Sequence, residues 1–106
     1  MTHPRPGRSS ATQTDSTVAG EDWYGQDVSG QNHPRTAFVD LDMTEVTNDG
    51  AVFDECTFRG ARFTVSSHAN AAFVNCTFTG CTFFDARFTG CKFVGSKFDR
   101  CTFDVM

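Results

Sequence analysis

The sequence predicts an all-β solenoid, a coil of short strands wound around a core of phenylalanine side chains. Three observations in residues 51–105 support this prediction. The residues at every fifth position from 53 to 103 are Phe in ten cases of eleven, with His68 as the exception. The residue two before each of them is Ala, Cys or Ser, and the residue two after it is most often Gly, Asn or Asp. A fixed period of this kind dictates a repeat architecture.

Each five-residue unit is predicted to be a short strand followed by a corner. Residues two apart in an extended chain point to the same side, so the central residue and the small residue before it face inward together. An α-helix needs apolar residues spaced by about 3.6 positions, and a strict period of five does not keep them on one helix face. Gly, Asn and Asp at the fifth position tolerate the tight or left-handed backbone of a corner. Repeated corners of one hand then wind the chain into a coil.

The remainder of the chain divides into segments by composition. Residues 1–20 are rich in Pro, Gly, Ser and Thr and hold a single Val, so a disordered tail is predicted there. This segment lacks the apolar region of a secretory signal, and no stretch of the chain approaches a membrane span. Residues 21–106 are predicted to form the solenoid, degenerate over 21–50 and regular over 51–105. Trp23 is expected to cover the N-terminal end of its core, because a solenoid end exposes core side chains.

Two segments, AVFDECTFRGARF at 51–63 and SSHANAAFVNCTF at 66–78, carry a resemblance to the pentapeptide-repeat family. The family pattern covers residues 36–105 well and residues 21–35 loosely. Members of the family form a right-handed, four-sided (quadrilateral) β-helix with four pentads per coil, and the resemblance implies this fold here. Within the family, the chain is most similar to the actinobacterial branch containing the mycobacterial quinolone-resistance protein that binds DNA gyrase. Those relatives continue beyond CTF through more coils, so the resemblance implies a C-terminally truncated chain.

The resemblance also implies a function. Gyrase-binding relatives present a rod that resembles DNA in size and acidity, so the chain is expected to be a non-enzymatic DNA mimic that binds DNA gyrase and modulates quinolone sensitivity. The alternatives are a structural or interaction scaffold with another protein partner, or a truncated remnant without retained activity. Direct nucleic-acid binding is suggested only by the basic late coils. It is not expected, because outward aromatic side chains for base stacking are lacking.

The candidate protein-binding residues follow from four pentads per coil. This arrangement places four acidic residues on one face, interrupted by Arg62: Asp42, Glu45, Asp85 and Asp104. An acidic stripe can steer a protein toward a basic groove. Phe84 is the only Phe outside the inward register and lies beside one of these acids, and aromatic residues are enriched at interfaces. We therefore expect Phe84 to contribute to the same contact.

The last rung of the coil is the second candidate contact. Cys101 and Phe103 lie on this rung, where unpaired backbone groups and an apolar side chain favour pairing with another copy. The sequence thus predicts an end-to-end contact through these two residues and a possible homodimer.

All five cysteines occupy the small position before a central residue. Four pentads per coil stack Cys56 on Cys76 and Cys81 on Cys101, with Cβ vectors that run parallel and suit a disulfide poorly. No zinc-site spacing occurs. The cysteines are therefore predicted to be reduced and buried, which favours a cytoplasmic protein without metal or cofactor.

His68 is predicted to be structural rather than catalytic. The flanking inward positions offer only Ser66 and Ala71, and Asn48 and Phe88 are expected above and below it in the stack. No phosphate-binding loop or catalytic triad is present, so the chain is not expected to be an enzyme.

Overall fold

The computed structural model describes residues 14–103, and all regular structure in this range is β-strand. Each strand pairs in parallel with the strand twenty residues away, as in the register Ser16↔Thr36. Because each coil of twenty residues has four corners, the described part is a four-sided β-helix. The fold class predicted from the pentad pattern is thereby confirmed.

Four faces run along the coil, and each consists of pentads twenty residues apart. Face 1 is the five-stranded sheet of β1 (Ser16–Ala19), β3 (Thr36–Val39), β6 (Thr57–Arg59), β9 (Thr77–Thr79) and β12 (Lys97–Asp99). Face 2 contains β10 (Thr82–Phe83) and β13 (Thr102–Phe103), continued by the isolated bridges Asp22↔Asp42, Asp42↔Arg62 and Arg62↔Thr82. Face 3 contains β4 (Thr47–Asp49), β7 (Ser67–Ala69) and β11 (Arg87–Thr89). Face 4 contains β2 (Asn32–Pro34), β5 (Val52–Asp54) and β8 (Ala72–Val74).

The core consists of ring stacks that run parallel to the coil axis. Phe78 lies between Phe58 at 4.9 Å and Phe98 at 4.6 Å between ring centroids, with interplanar angles of 5° and 4°. Such offset stacks add to the free energy that each ring contributes by leaving water, about 1.5–3 kcal/mol for a fully buried Phe. The inward assignment of the central pentad residues is therefore confirmed.

The corners explain the composition of the fifth pentad position. Every described residue at this position, from Gly20 to Arg100, has a positive φ. Glycine adopts this left-handed conformation without strain, and Asn and Asp tolerate it better than other residues. At Gly60, an added Cβ would also lie only 2.7 Å from Oδ1 of Asp40, so a side chain there would force a rearrangement. Glu and Arg also occur at described corners, and Val65, at φ 56, is the β-branched residue among them.

The coil begins earlier than composition suggests. Residues 16–19, which composition placed in the tail, form β1 and pair with β3 over four residues. Backbone hydrogen bonds depend little on side-chain type, and Val18 supplies an apolar group that packs on the core. Trp23 lies partly buried near this end, with ring centroids 5.6 Å from both His33 and Phe38. Its position agrees with the predicted cap.

Candidate protein-binding site

Face 2 carries most of the predicted binding residues on its outer surface. Three positions of each pentad point outward there: the residue before the centre, the residue after it, and the corner. The outward side chains in described coils are Asp22, Tyr24, Asp42, Thr44, Glu45, Arg62, Thr64, Val65, Thr82, Phe84, Asp85 and Thr102. The structure thus brings Asp42, Glu45, Phe84 and Asp85 onto one face, whereas Asp104 lies outside the described residues.

Asp42 is held by neighbours within the chain. Its Oδ1 accepts hydrogen bonds from the Thr44 amide at 3.0 Å and the Thr44 hydroxyl at 2.6 Å. Its Oδ2 lies 3.4 Å from Nη2 of Arg62 on the next coil. The Thr44 hydroxyl, with smaller contributions from the Thr44 amide and Arg62, keeps the pKa of Asp42 below its usual value. Asp42 therefore stabilises the turn at its own pentad, and part of its charge is neutralised by Arg62.

Glu45 and Asp85 are exposed acids at the corner of face 2. The charge of Glu45, together with a hydrogen bond to it, raises the pKa of the Tyr24 phenol. Asp85 lies two coils further along, at the equivalent corner. These two carboxylates are the charges that face 2 offers most directly to a partner.

An exposed apolar pair lies between the two acids. Phe84 is 47% exposed and Val65 is 44% exposed, and the Val65 amide donates to the Phe84 carbonyl at 2.9 Å. Val65 stands at the corner position of the coil between those of Glu45 and Asp85. We refer to Glu45, Val65 and Asp85 as the corner column. The sequence prediction omitted Val65, although a Val at a position otherwise rich in turn-forming residues was a visible signal.

The buried polar residues form a closed network. Nδ1 of His68 lies 3.0 Å from the Asn48 amide nitrogen, and Nε2 lies 3.0 Å from the Ser66 hydroxyl. That hydroxyl donates to the Phe63 carbonyl at 2.7 Å. The His68 ring also stacks on Phe88 at 4.8 Å. Burial lowers the pKa of His68 to about 4. Both ring nitrogens are bonded to core neighbours, as predicted, so His68 is a structural residue.

The thiols share one hydrogen-bonding pattern. All five cysteines are free, and each donates to the carbonyl of the residue 23 positions earlier: Cys56 to His33, Cys76 to Phe53, Cys81 to Phe58, Cys91 to His68 and Cys101 to Phe78. The Ser96 hydroxyl makes the equivalent bond to Phe73 at 2.9 Å. The small position therefore favours a side chain that is compact and also donates a hydrogen bond. Burial raises the pKa of Cys81 to about 11.

The predicted end-to-end residues lie on the last described rung. Phe103 is 56% exposed and stacks on Phe83 at 4.9 Å. Cys101 is partly buried, and its thiol lies 3.4 Å from the Phe78 carbonyl. The contact between copies through these two residues remains a prediction.

Other features of the described coils offer no metal centre. Among residues 14–103, no group of three or more His, Cys, Asp or Glu side chains is arranged to hold a metal ion. Face 1 has a shallow depression of about 390 Å³, lined largely by Thr, Val and Arg side chains. The same range of the chain contains no helix long and apolar enough to cross a membrane.

The repeat, the four-sided coil and the outward acidic and apolar face define a pentapeptide-repeat β-helix protein. The family model described as the SV2A/B/C luminal domain matches residues 26–103. The chain belongs to the family that this model describes.

Solved structures with a similar course of the chain include other pentapeptide-repeat proteins. One is Rfr23 from the cyanobacterium Cyanothece 51142, 9% identical, with a TM-score of 0.32 and coverage of 90% of this chain and 89% of that chain. Two trypsin-treated variants of QnrB1, a plasmid-mediated fluoroquinolone resistance protein, are 17% and 18% identical, each with a TM-score of 0.27. The alignment with the first variant covers 96% of this chain and 73% of the variant chain. The alignment with the second covers 89% of this chain and 68% of the variant chain. No curated protein sequence matches the chain.

Proposed function

We propose that the chain is a non-catalytic binding protein that engages DNA gyrase through face 2 and thereby modulates the sensitivity of gyrase to quinolones. The observation that supports this proposal is the exposed surface formed by Phe84 and the corner column. It combines two exposed carboxylate side chains with two exposed apolar side chains. The carboxylates steer the rod toward a basic groove, and the apolar pair supplies area that leaves water on contact. The partner is taken from the resemblance to gyrase-binding pentapeptide-repeat proteins.

The charge density of the rod decides how closely it can imitate DNA. A DNA duplex carries one phosphate per roughly 1.7 Å, so a segment as long as the described 4.5 coils, about 22 Å at about 4.8 Å per coil, would carry about 13 negative charges. The described coils carry 12 Asp and Glu residues and 7 Arg and Lys residues, a net charge of −5, and on face 2 Arg62 partly neutralises Asp42. The rod therefore resembles DNA in shape more than in charge. We infer that a few localised contacts around the corner column, rather than a uniform potential, hold the partner.

The proposed location is the cytoplasm. All five cysteines are free and take part in hydrogen bonds that a disulfide would abolish. A reducing compartment keeps thiols in this state. This location would also place the chain together with a DNA-binding enzyme.

A gyrase supercoiling assay with a quinolone tests the proposal. We expect the purified chain to change supercoiling activity and to raise the quinolone concentration needed for inhibition. Phe84→Ser should weaken both effects, because it removes the exposed ring. Val94→Ser is the matched control, since Val94 is 58% exposed and follows the pentad centre in the same way on face 4. Unchanged supercoiling and unchanged quinolone inhibition with the folded chain would contradict the proposal.

A second candidate is a scaffold for a different protein partner. Face 4 favours it, because Val52 and Val94 are exposed on its outer surface. A partner that uses face 4 would lose affinity with Val94→Ser and keep it with Phe84→Ser. This pattern is the reverse of the one expected for gyrase, so the same two variants separate the two candidates.

A further inference from the structure

The corner column has the spacing of an α-helix. Glu45, Val65 and Asp85 occupy the same corner in three successive coils. Neighbouring strands lie about 4.8 Å apart, so the two acids are separated by about 9.6 Å with the Val side chain midway. An α-helix rises 5.4 Å per turn, and its residues i and i+7 are about 10.5 Å apart. An extended strand repeats on one side only every 6.6–6.8 Å or so, which does not match.

We propose that the corner column and Phe84 form a docking site for an amphipathic α-helix of a partner protein. The helix lies along the axis of the rod and presents a cationic residue at i, an apolar residue at i+4 and a second cationic residue at i+7. The two cations pair with Glu45 and Asp85. The apolar side chain packs between Val65 and Phe84. The proposal rests on the proposed binding function of face 2 and specifies the chemistry of the partner.

Val65 exposes its apolar side chain to solvent from a strained backbone conformation. A β-branched residue with φ near 56° is a true outlier, because left-handed backbone is strained for a β-branched side chain. The other described corners hold Gly, Asn, Asp, Glu or Arg. Nearly half of the Val65 side chain nevertheless faces solvent. Strained residues of this kind cluster at ligand-binding sites, where the surrounding structure holds them in place.

Charge complementarity selects a cationic helix as the occupant. The exposed charges at the two ends of the corner column are both negative. The base on the same face, Arg62, is paired with Asp42, and the next base, Arg87, lies beyond Asp85 on face 3. A helix carrying Lys or Arg one turn on either side of a Leu would match the order of charge, apolar group and charge. An acidic helix would place like charges in contact, which is unfavourable.

Synthetic helices test the proposal without gyrase. The first probe is a stapled Ala- and Gln-based peptide of about four turns with Arg at i and i+7 and Leu at i+4; the staple is needed because short helices are marginal in water. The second has the same composition, but both Arg residues are moved by two positions to the opposite side of the helix. Fluorescence anisotropy of labelled peptides reports binding to the full chain. We expect the first probe to bind at least about tenfold more tightly than the second, and equal affinities would overturn the proposal.

Variants at Val65 separate binding from folding. Val65→Gly and Val65→Asn should each weaken the first probe about tenfold, because a central apolar contact is lost. Both should leave thermal stability unchanged or raised, since Gly and Asn suit the left-handed backbone. The control Val94→Ser should leave the affinity unchanged. A Val65→Gly protein that is folded and binds the probe as well as the original chain would contradict the proposal.

Substitution of the acids tests the charge pairs. Glu45→Gln combined with Asp85→Asn should weaken the first probe and remove most of the salt dependence of its affinity. If the first probe binds and gyrase is unaffected, the docking site is supported and gyrase is not the partner. If gyrase is affected and the first probe does not bind selectively, the gyrase proposal is supported and the helix-docking proposal is contradicted.

Discussion

The side-chain amide of Asn48 donates a hydrogen bond to Nδ1 of His68, 3.0 Å away and one coil further along the core. Because Nδ1 accepts this bond, the neutral ring carries its proton on Nε2 and donates it to the Ser66 hydroxyl. Oδ1 of Asn48 also accepts from the Ala51 amide at 3.0 Å. These hydrogen bonds require a neutral His68 ring that accepts at Nδ1 and donates at Nε2. A protonated ring would lose the bond from Asn48 and place a charge in the core.

Acid should therefore destabilise the fold through His68. Burial lowers the pKa of this residue from 6.5 to about 4, so the unfolded chain binds the proton more tightly than the folded chain does. The free energy of unfolding should be highest above pH 6.5 and should fall by about 3 kcal/mol as the pH drops toward 4. Urea unfolding at a series of pH values measures this loss.

His68→Phe is the control for the acid effect. Phe occupies the equivalent position in the neighbouring stacks, so the variant should fold and should lose most of the pH dependence between 6.5 and 4. Burial also lowers the pKa of His33, in the same direction, so a smaller part of the slope should remain. An unchanged slope in His68→Phe would show that the network does not set the acid sensitivity.

Val65→Gly should stabilise the protein by about 1 kcal/mol. Glycine removes the cost of a left-handed β-branched residue, and its greater freedom in the unfolded chain offsets part of the gain. Gly80→Val is the reciprocal variant, because Gly80 has φ 62 and an added Cβ there would meet no atom within 4 Å. It should destabilise by a similar amount. Denaturant titration of both variants measures the two changes in the free energy of unfolding. A loss of stability in Val65→Gly would contradict the assignment of strain to Val65.

Phe78→Ala should cost about 3–5 kcal/mol, as expected when a fully enclosed aromatic ring is truncated. The ring is 1% exposed and stacked on both sides. Thr79→Ala, at the outward neighbour, should change stability by less than about 0.5 kcal/mol. Equal losses in chemical denaturation would mean that the inward register is wrong.

The thiols should react in the order of their exposure. Cys56, Cys76 and Cys81 are fully buried and should react with a maleimide only after unfolding, whereas Cys91 and Cys101 are partly buried and should react first. The raised pKa of Cys81, about 11, also keeps its reactive thiolate scarce. Mass spectrometry of timed samples identifies the labelled sites. A Cys56–Cys76 disulfide under non-reducing conditions would contradict the assignment of free thiols.

The pentad pattern was enough to predict the stacking of the core. Once four pentads make a coil, residues twenty apart become neighbours, so the partners of Phe78 and His68 followed directly from the numbering. The sequence could not show that the Cys thiols reach the carbonyl 23 positions earlier. That bond depends on rotamers and on the geometry of the corner, which the period alone does not determine.

The binding face was predicted only in part. The register placed Asp42, Glu45 and Asp85 together, because outward positions stack as regularly as inward ones. The pairing of Asp42 with Thr44 depends on the local turn, and the contribution of Arg62 depends on side-chain reach between coils. The sequence prediction omitted Val65, because the pentad pattern does not show which corner residue has a strained φ. The extension of the coil to residues 16–19 depends on backbone pairing, to which a compositional argument is insensitive.

The affinity of the chain for purified gyrase, measured with charge-reversed variants, tests the proposed function most directly. Glu45→Lys with Asp85→Lys reverses the exposed acids of face 2, and long cationic side chains are tolerated at this corner position, as Arg35 and Arg100 show. Asp49→Lys with Asp54→Lys produces the same change in net charge on faces 3 and 4. We predict that the original chain and the control pair bind gyrase with similar affinity and that the face 2 pair binds at least about tenfold more weakly. Equal affinity for both variants, or no binding by the folded original chain, would contradict the proposal.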